Sequence, residues 1–296
     1  MKTLEVGKRI ALNNILFATD FSPHSNAALP YALAIARQYA AKLFGAHVVP
    51  SEDYLFTAPG SWPAHIQQAE QLRLEAAARL GAQLQGVPHE ALIGVGAVWN
   101  VLSQLIGKHD IDLLVVGTHG RAGARKLFMG SIAEKIFRQS ACPVLTVGPN
   151  VAHQQKSVAE FNEILLATDF GEESVAAAPY AISLAQQHQA QLSLLHVLER
   201  PQVGTVDLES NSDFLVRRLQ ELVPKDAELA CHPEYIVQFG PPAERILQFS
   251  ATHGTDLIVM CIRPRHGTMS TVTHLAHTTA QRVVPHATCP VLTVRG

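Results

Sequence analysis

A chain of 296 residues is about twice the ~150 residues of a common domain, which predicts two compact domains. Hydrophobic residues at 47%, with 19 Gly and 17 Pro, exclude collagen-like, low-complexity and disordered classes. A formal net charge of −2 from 23 Lys+Arg and 25 Asp+Glu, with no run of either sign, lacks the basic stripe of a nucleic-acid groove or membrane-surface patch. In chain order, MKTLEVGKRI is too polar for a signal-peptide core, and no apolar run approaches the ~18 residues of a membrane span, so a cytoplasmic protein is expected. Short apolar or β-branched runs at 14–19, 43–49, 88–94, 112–116 and 143–147 have the texture of buried parallel strands. Alanine- and leucine-rich segments at helical spacing lie between them, near 23–41, 63–85, 97–109 and 131–140. This alternation predicts an open α/β sheet with helices on both faces. Ser22-Pro23 reads as an N-cap with Pro at N1, and Ser131 with Glu134 as a capping box. Pro30 and Pro179 should bend their helices or shift their starts.

The whole pattern occurs twice. ILFATDF at 15–21 returns as ILLATDF at 164–170, and ALPYALAIA at 28–36 as AAPYAISLA at 177–185. CPVLTV at 142–147 is identical at 289–294. The second copy is shorter before Asp256 and longer between Val259 and Cys289. Residues 149–161 carry no periodicity and read as a linker between domains 1–148 and 162–296. Charged residues make up only 16%, against roughly 25% in a typical soluble protein, which fits a sizeable buried contact between the domains.

In open α/β sheets, ligands bind beyond the carboxyl ends of the strands, where strand order reverses. Strand 1 ends in Ala18-Thr19-Asp20. Strand 4 runs into Gly117-Thr118-His119-Gly120-Arg121, and the loop continues through Arg125 and Lys126 to Gly130-Ser131-Ile132 at a helix start. Glycines allow close backbone approach, while free N–H groups and added cations suit a phosphate. A plainer reading stays open: glycines as turn formers, Ser131 as an N-cap, Asp20 as a cap of the first helix. Neither a Walker A pattern nor a complete dinucleotide fingerprint is present.

The spacing Gly117-x2-Gly120-x9-Gly130-Ser131, after Asp-Leu-Leu-Val-Val and before Cys-Pro-Val-Leu-Thr-Val, resembles the nucleotide-binding signature of universal stress proteins. ATDFS and Ala46-His47-Val48 fit the same family, and the resemblance covers both halves. It implies two tandem, Rossmann-like, five-stranded parallel sheets of order 3-2-1-4-5. It also implies an ATP-binding stress-response module, with ATP held with or without Mg. Carried over, Ala18 and Asp20 would contact the adenine and ribose side and Val48 would border the base. Gly117, Gly120, Gly130 and Ser131 would wrap the ribose and triphosphate. Thr19, Thr118, His119, Arg121 and Ile132 complete the candidate set.

The second half departs from this pattern. Aligned from its two ends, its loop puts Cys261 at the position of Gly117, Pro264 at Gly120 and His277 at Gly130. Each change removes backbone freedom or adds bulk. Thr278 and Gln281 still make a capping box, and Asp169 is retained. Nucleotide is therefore expected in the first half only. His266, His274 and His277 are the sole metal candidates, with solvated or capping histidines the plainer reading. His47 and His196 read as structural histidines. The cysteines Cys142, Cys231, Cys261 and Cys289 read as reduced and mostly buried. Slow ATP hydrolysis, for which the loop offers no obvious base beyond His119, is the enzyme alternative, and a nucleotide-independent scaffold or metabolite binder using the second half is another. The apolar edge strands 143–147 and 290–294 are expected to cover each other or another chain's copy, giving an internal pseudo-dimer. An unknown protein partner and a further homodimer complete the expected associations.

Overall fold

The apolar runs become strands because a parallel strand is buried on both faces. The computed structural model describes residues 10–49, 62–118, 131–151, 161–199, 208–262 and 278–295. In the first half, β1 is Asn14–Ala18, β2 Lys42–Val49, β3 His89–Val95, β4 Leu113–Gly117 and β5 Val144–Val147. Their order is β3-β2-β1-β4-β5. The pairing of β1 is parallel on both sides, with Ala18 opposite Ala46 of β2 and Val116 of β4. In the second half, β6 (Glu163–Thr168), β7 (Gln191–Leu198), β8 (Glu234–Phe239), β9 (Leu257–Ile262) and β10 (Val291–Arg295) repeat it. Their order, β8-β7-β6-β9-β10, is again 3-2-1-4-5 within the copy. The chain divides into two compact units, Ala11–Ala124 with Gly130–Val144 and, in the main, Leu145–Gly296.

The prolines act as stops. The segment read as one helix over 23–41 is two, Pro23–Asn26 and Leu29–Gln38, with Pro30 at the second position of the latter. Pro30 has no N–H, and its ring would strike the carbonyl four residues back, that of Asn26, which is where the first helix ends. Pro179 divides Glu172–Val175 from Ala178–His188 in the same way. Ser22 is the N-cap of Pro23–Asn26, its hydroxyl accepting from Ser25 N at 3.1 Å.

Helix Val98–Lys108 shows how the flanking layer attaches. Trp99, Leu102 and Ile106 fall on one face and join Leu16, Phe44 and Leu114 in one buried cluster. Each such side chain contributes roughly 1.5–3 kcal/mol by leaving water. Asp112 and Asp256 clamp the opposite, amino ends of the sheets. Asp112 Oδ2 accepts from Asn13 N (2.8 Å) and Asn14 N (3.1 Å), and Asp256 Oδ2 from Asn162 N (2.9 Å) and Glu163 N (3.1 Å). Among the described residues no helix is long and apolar enough to cross a membrane.

Candidate functional site

The carboxyl end of β1 turns sharply in both halves. Thr19 is buried, and its hydroxyl lies 2.9 Å from Ser25 Oγ and 3.0 Å from Asn26 Oδ1 while accepting from Phe21 N at 2.9 Å. The turn places Phe21 at φ 62, a left-handed conformation that costs a non-glycine residue about 1–2 kcal/mol. His47 helps to hold it: Nδ1 donates to Thr19 O at 2.9 Å, and the imidazole lies 4.4 Å from the Phe21 ring. Arg79, from helix Trp62–Gln83, stands over that ring at 4.4 Å. The second half repeats this turn, except that Val175 stands where Asn26 accepts from the Thr19 hydroxyl. Phe170 has φ 60, His196 Nδ1 donates to Thr168 O at 2.9 Å, and Arg218 stands 4.3 Å over the Phe170 ring. Burial pushes the His196 imidazole below its ordinary range, favouring the neutral ring that donates from Nδ1. Both histidines are therefore structural, as their equivalent positions in the repeat suggested.

The acids after the two threonines differ in their company. Asp20 Oδ1 accepts from Ser22 N at 2.9 Å and from Ser25 Oγ at 2.6 Å, whereas Asp169 Oδ1 accepts from Gly171 N at 3.0 Å. The change of Ser22 to Gly171 removes the N-cap hydroxyl from the second copy.

Gly117 has a structural duty that sequence spacing did not reveal. A Cβ there would sit 2.5 Å from His24 O and 2.9 Å from Ser25 Cα. The backbone of helix Pro23–Asn26 thus rests directly on the end of β4, and glycine is what permits it. Val48 and Thr118 are buried, while Ile132 is exposed on helix Ser131–Gln139. The structure brings Ala18, Thr19, Asp20, Val48, Gly117 and Thr118 to the carboxyl ends of β1, β2 and β4, which are adjacent in the sheet. His119, Gly120, Arg121 and Gly130 lie outside the described residues, as do Pro264 and the metal candidates His266, His274 and His277.

In the second half the same ends open on a cleft of about 290 Å³. Ala167, Thr168, Asp169 and Val197 line it at the positions of Ala18, Thr19, Asp20 and Val48, together with Cys261 at the position of Gly117. The Thr278–Gln281 capping box is present, with Gln281 N donating to Thr278 Oγ1 at 3.3 Å and Thr278 N to Gln281 Oε1 at 2.9 Å. None of the four cysteines is in a disulfide, and only Cys142 and Cys289 are buried, where burial raises each thiol to about 11. Cys261 is half-buried and Cys231 exposed, because β9 ends at the cleft mouth and Cys231 lies outside the core elements.

The model of the universal stress protein family matches twice, over residues 12–148 and 160–295. A universal stress protein of Thermus aquaticus is 35% identical over 137 residues, 45% of this chain and 96% of its own. Universal stress protein MJ0531 of Methanocaldococcus jannaschii is 29% identical over 136 residues, 45% of this chain and 80% of its own. Among solved structures, a universal stress protein from Archaeoglobus fulgidus superimposes with TM-score 0.69 at 20% identity, covering 97% of this chain and 99% of that one.

Proposed function

This chain belongs to the universal stress protein family, and from that premise we propose that its first half binds an adenine nucleotide, ATP with or without Mg²⁺, as a regulatory module. The observation that carries the reading is a junction. The Gly117-x2-Gly120-x9-Gly130-Ser131 series begins at the end of β4, and Ala18-Thr19-Asp20 ends the strand paired with it. A crevice outside adjacent strand ends, at the point where strand order reverses, is where α/β sheets take ligands. In this reading Ala18 and Val48 border the base, Asp20 accepts from the ribose, and the glycine loop carries the phosphates on backbone N–H groups. Arg121 adds charge, with Thr118, His119 and Ile132 beside it. The Thr19 hydroxyl is committed to the turn, so its part is to hold Asp20 in place.

Equilibrium dialysis with ATP tests this. Binding by the wild type, lost at least tenfold in Gly120→Val or Gly130→Val with unchanged thermal stability, is the expected result. Wild-type protein that binds no ATP overturns it. Gly117→Val is the wrong variant for this purpose, because its side chain would meet the His24 backbone.

Mutual covering of the apolar strands 143–147 and 290–294 belongs to the same proposal. Its support is that Leu145, Val147, Val291 and Val294 are each at most 2% exposed.

A further inference from the structure

The second-half cleft combines an apolar floor with an acidic rim. Leu195, Ile246 and Met260 are buried beneath it, and Asp169 and Glu199 are exposed along it. Among its described lining residues there is no Lys, Arg or His. We propose that this cleft takes an uncharged, nucleoside-sized heterocycle and turns away the phosphorylated forms of the same compound.

Three observations point there. First, the residues that border the base and ribose in the first-half reading, on which this inference rests, have counterparts lining the cleft: Ala167, Asp169 and Val197. Second, a volume of about 290 Å³ falls at the small end of ligand sites, roughly 300–1,000 Å³, enough for a base with its sugar. Third, the charged side chains of the described lining are both carboxylates. Asp169 and Glu199 lie along the cleft, and like charges repel. Cys261 occupies the place of Gly117. The acidic rim that repels phosphate can accept hydrogen bonds from sugar hydroxyls or an exocyclic amine.

The position of Cys261 makes the site readable in the full chain. Iodoacetamide alkylation is followed by peptide mass spectrometry, with exposed Cys231 as internal reference and adenosine as the probe. Adenosine at millimolar concentration is expected to slow alkylation of Cys261 at least fivefold and leave Cys231 unchanged. ATP at the same concentration leaves Cys261 within twofold of its free rate. Absence of protection by adenosine, or equal protection by ATP, overturns the proposal. A second variant covers a Cys261 that reacts too slowly to follow: Cys261→Trp, which fills the cleft, should remove one equivalent of adenosine from equilibrium dialysis while ATP binding persists. Undiminished adenosine binding in that variant overturns the proposal as well. The two readings fail separately, because ATP dialysis reports the first half and Cys261 the second. Adenosine protection in a chain that binds no ATP removes only the nucleotide reading.

Discussion

The ends of β1 and β6 carry the same strained turn, and the ends of β4 and β9 carry opposite residues. Phe21 and Phe170 share their left-handed φ, their histidine and their arginine, so that turn belongs to the fold and not to one ligand. Gly117 and Cys261 part company where helices Pro23–Asn26 and Glu172–Val175 meet the neighbouring strand. A glycine at this place serves backbone packing in the first half, yet the second half builds the same topology with a cysteine. A single glycine is therefore poor evidence of a phosphate site, and the weight falls on the spaced set of three with Ser131.

The largest expected effect separates the halves at this position. Gly117→Val should cost about 2–3 kcal/mol by forcing the His24 backbone away, whereas Cys261→Gly should cost no more than about 1 kcal/mol. Chemical denaturation of both variants checks it, and equal losses would mean that the two strand ends are packed alike.

Acid should separate them next. The repeat places Tyr39 and His188 at matching points, and both Tyr39 Oη and His188 Nε2 are buried without a hydrogen-bond partner among the described residues. Burial raises the Tyr39 phenol further from neutrality, and it lowers His188 to about 4 from an ordinary 6.5. The unfolded chain therefore takes up a proton below pH 6.5 that the folded chain refuses until about pH 4. The stability contributed by neutral His188 is complete above pH 6.5, falls as pH drops through this window, and is gone below it. After solvent screening the loss is about 2 kcal/mol. His188→Tyr, copying the first half, should flatten this part of the pH profile of unfolding; an unchanged slope would place the acid sensitivity elsewhere.

The smallest expected effect concerns the two acids. Asp20→Ala removes the acceptor of the Ser22 N and Ser25 Oγ bonds and Asp169→Ala that of the Gly171 N bond, so a loss of about 1.5 kcal/mol is expected for the first and a smaller one for the second. Thermal melts of the two variants rank them, and the reverse order would contradict the turn geometry.

Much of the architecture was legible because the chain states it twice. The apolar runs located all five strands of the first half, and Pro30 and Pro179 announced the helix starts. The division of segment 23–41 was missed in detail, since an interior proline can kink a helix or end it, and the Asn26 carbonyl decides which. The clamping of the β1 and β6 amino ends by Asp112 and Asp256 depends on pairs far apart in sequence and was not legible. The left-handed Phe21 leaves no signal in residue type, because phenylalanine has no preference for positive φ, although the repeated Thr-Asp-Phe hinted at a shared turn. The steric duty of Gly117 depends on a helix nearly a hundred residues earlier and was beyond any local pattern. The cleft in the second half was hidden for the same reason: its floor is assembled from β6, β7, β9 and helix Pro242–Thr252.

The central claim is that two halves of one fold differ in what they hold. Equilibrium dialysis of the intact protein against saturating ATP and Mg²⁺ tests it most directly. One nucleotide per chain, abolished by Gly130→Val, is the expected result. Two per chain would show the second half to be a nucleotide site, and none would remove the first-half nucleotide site.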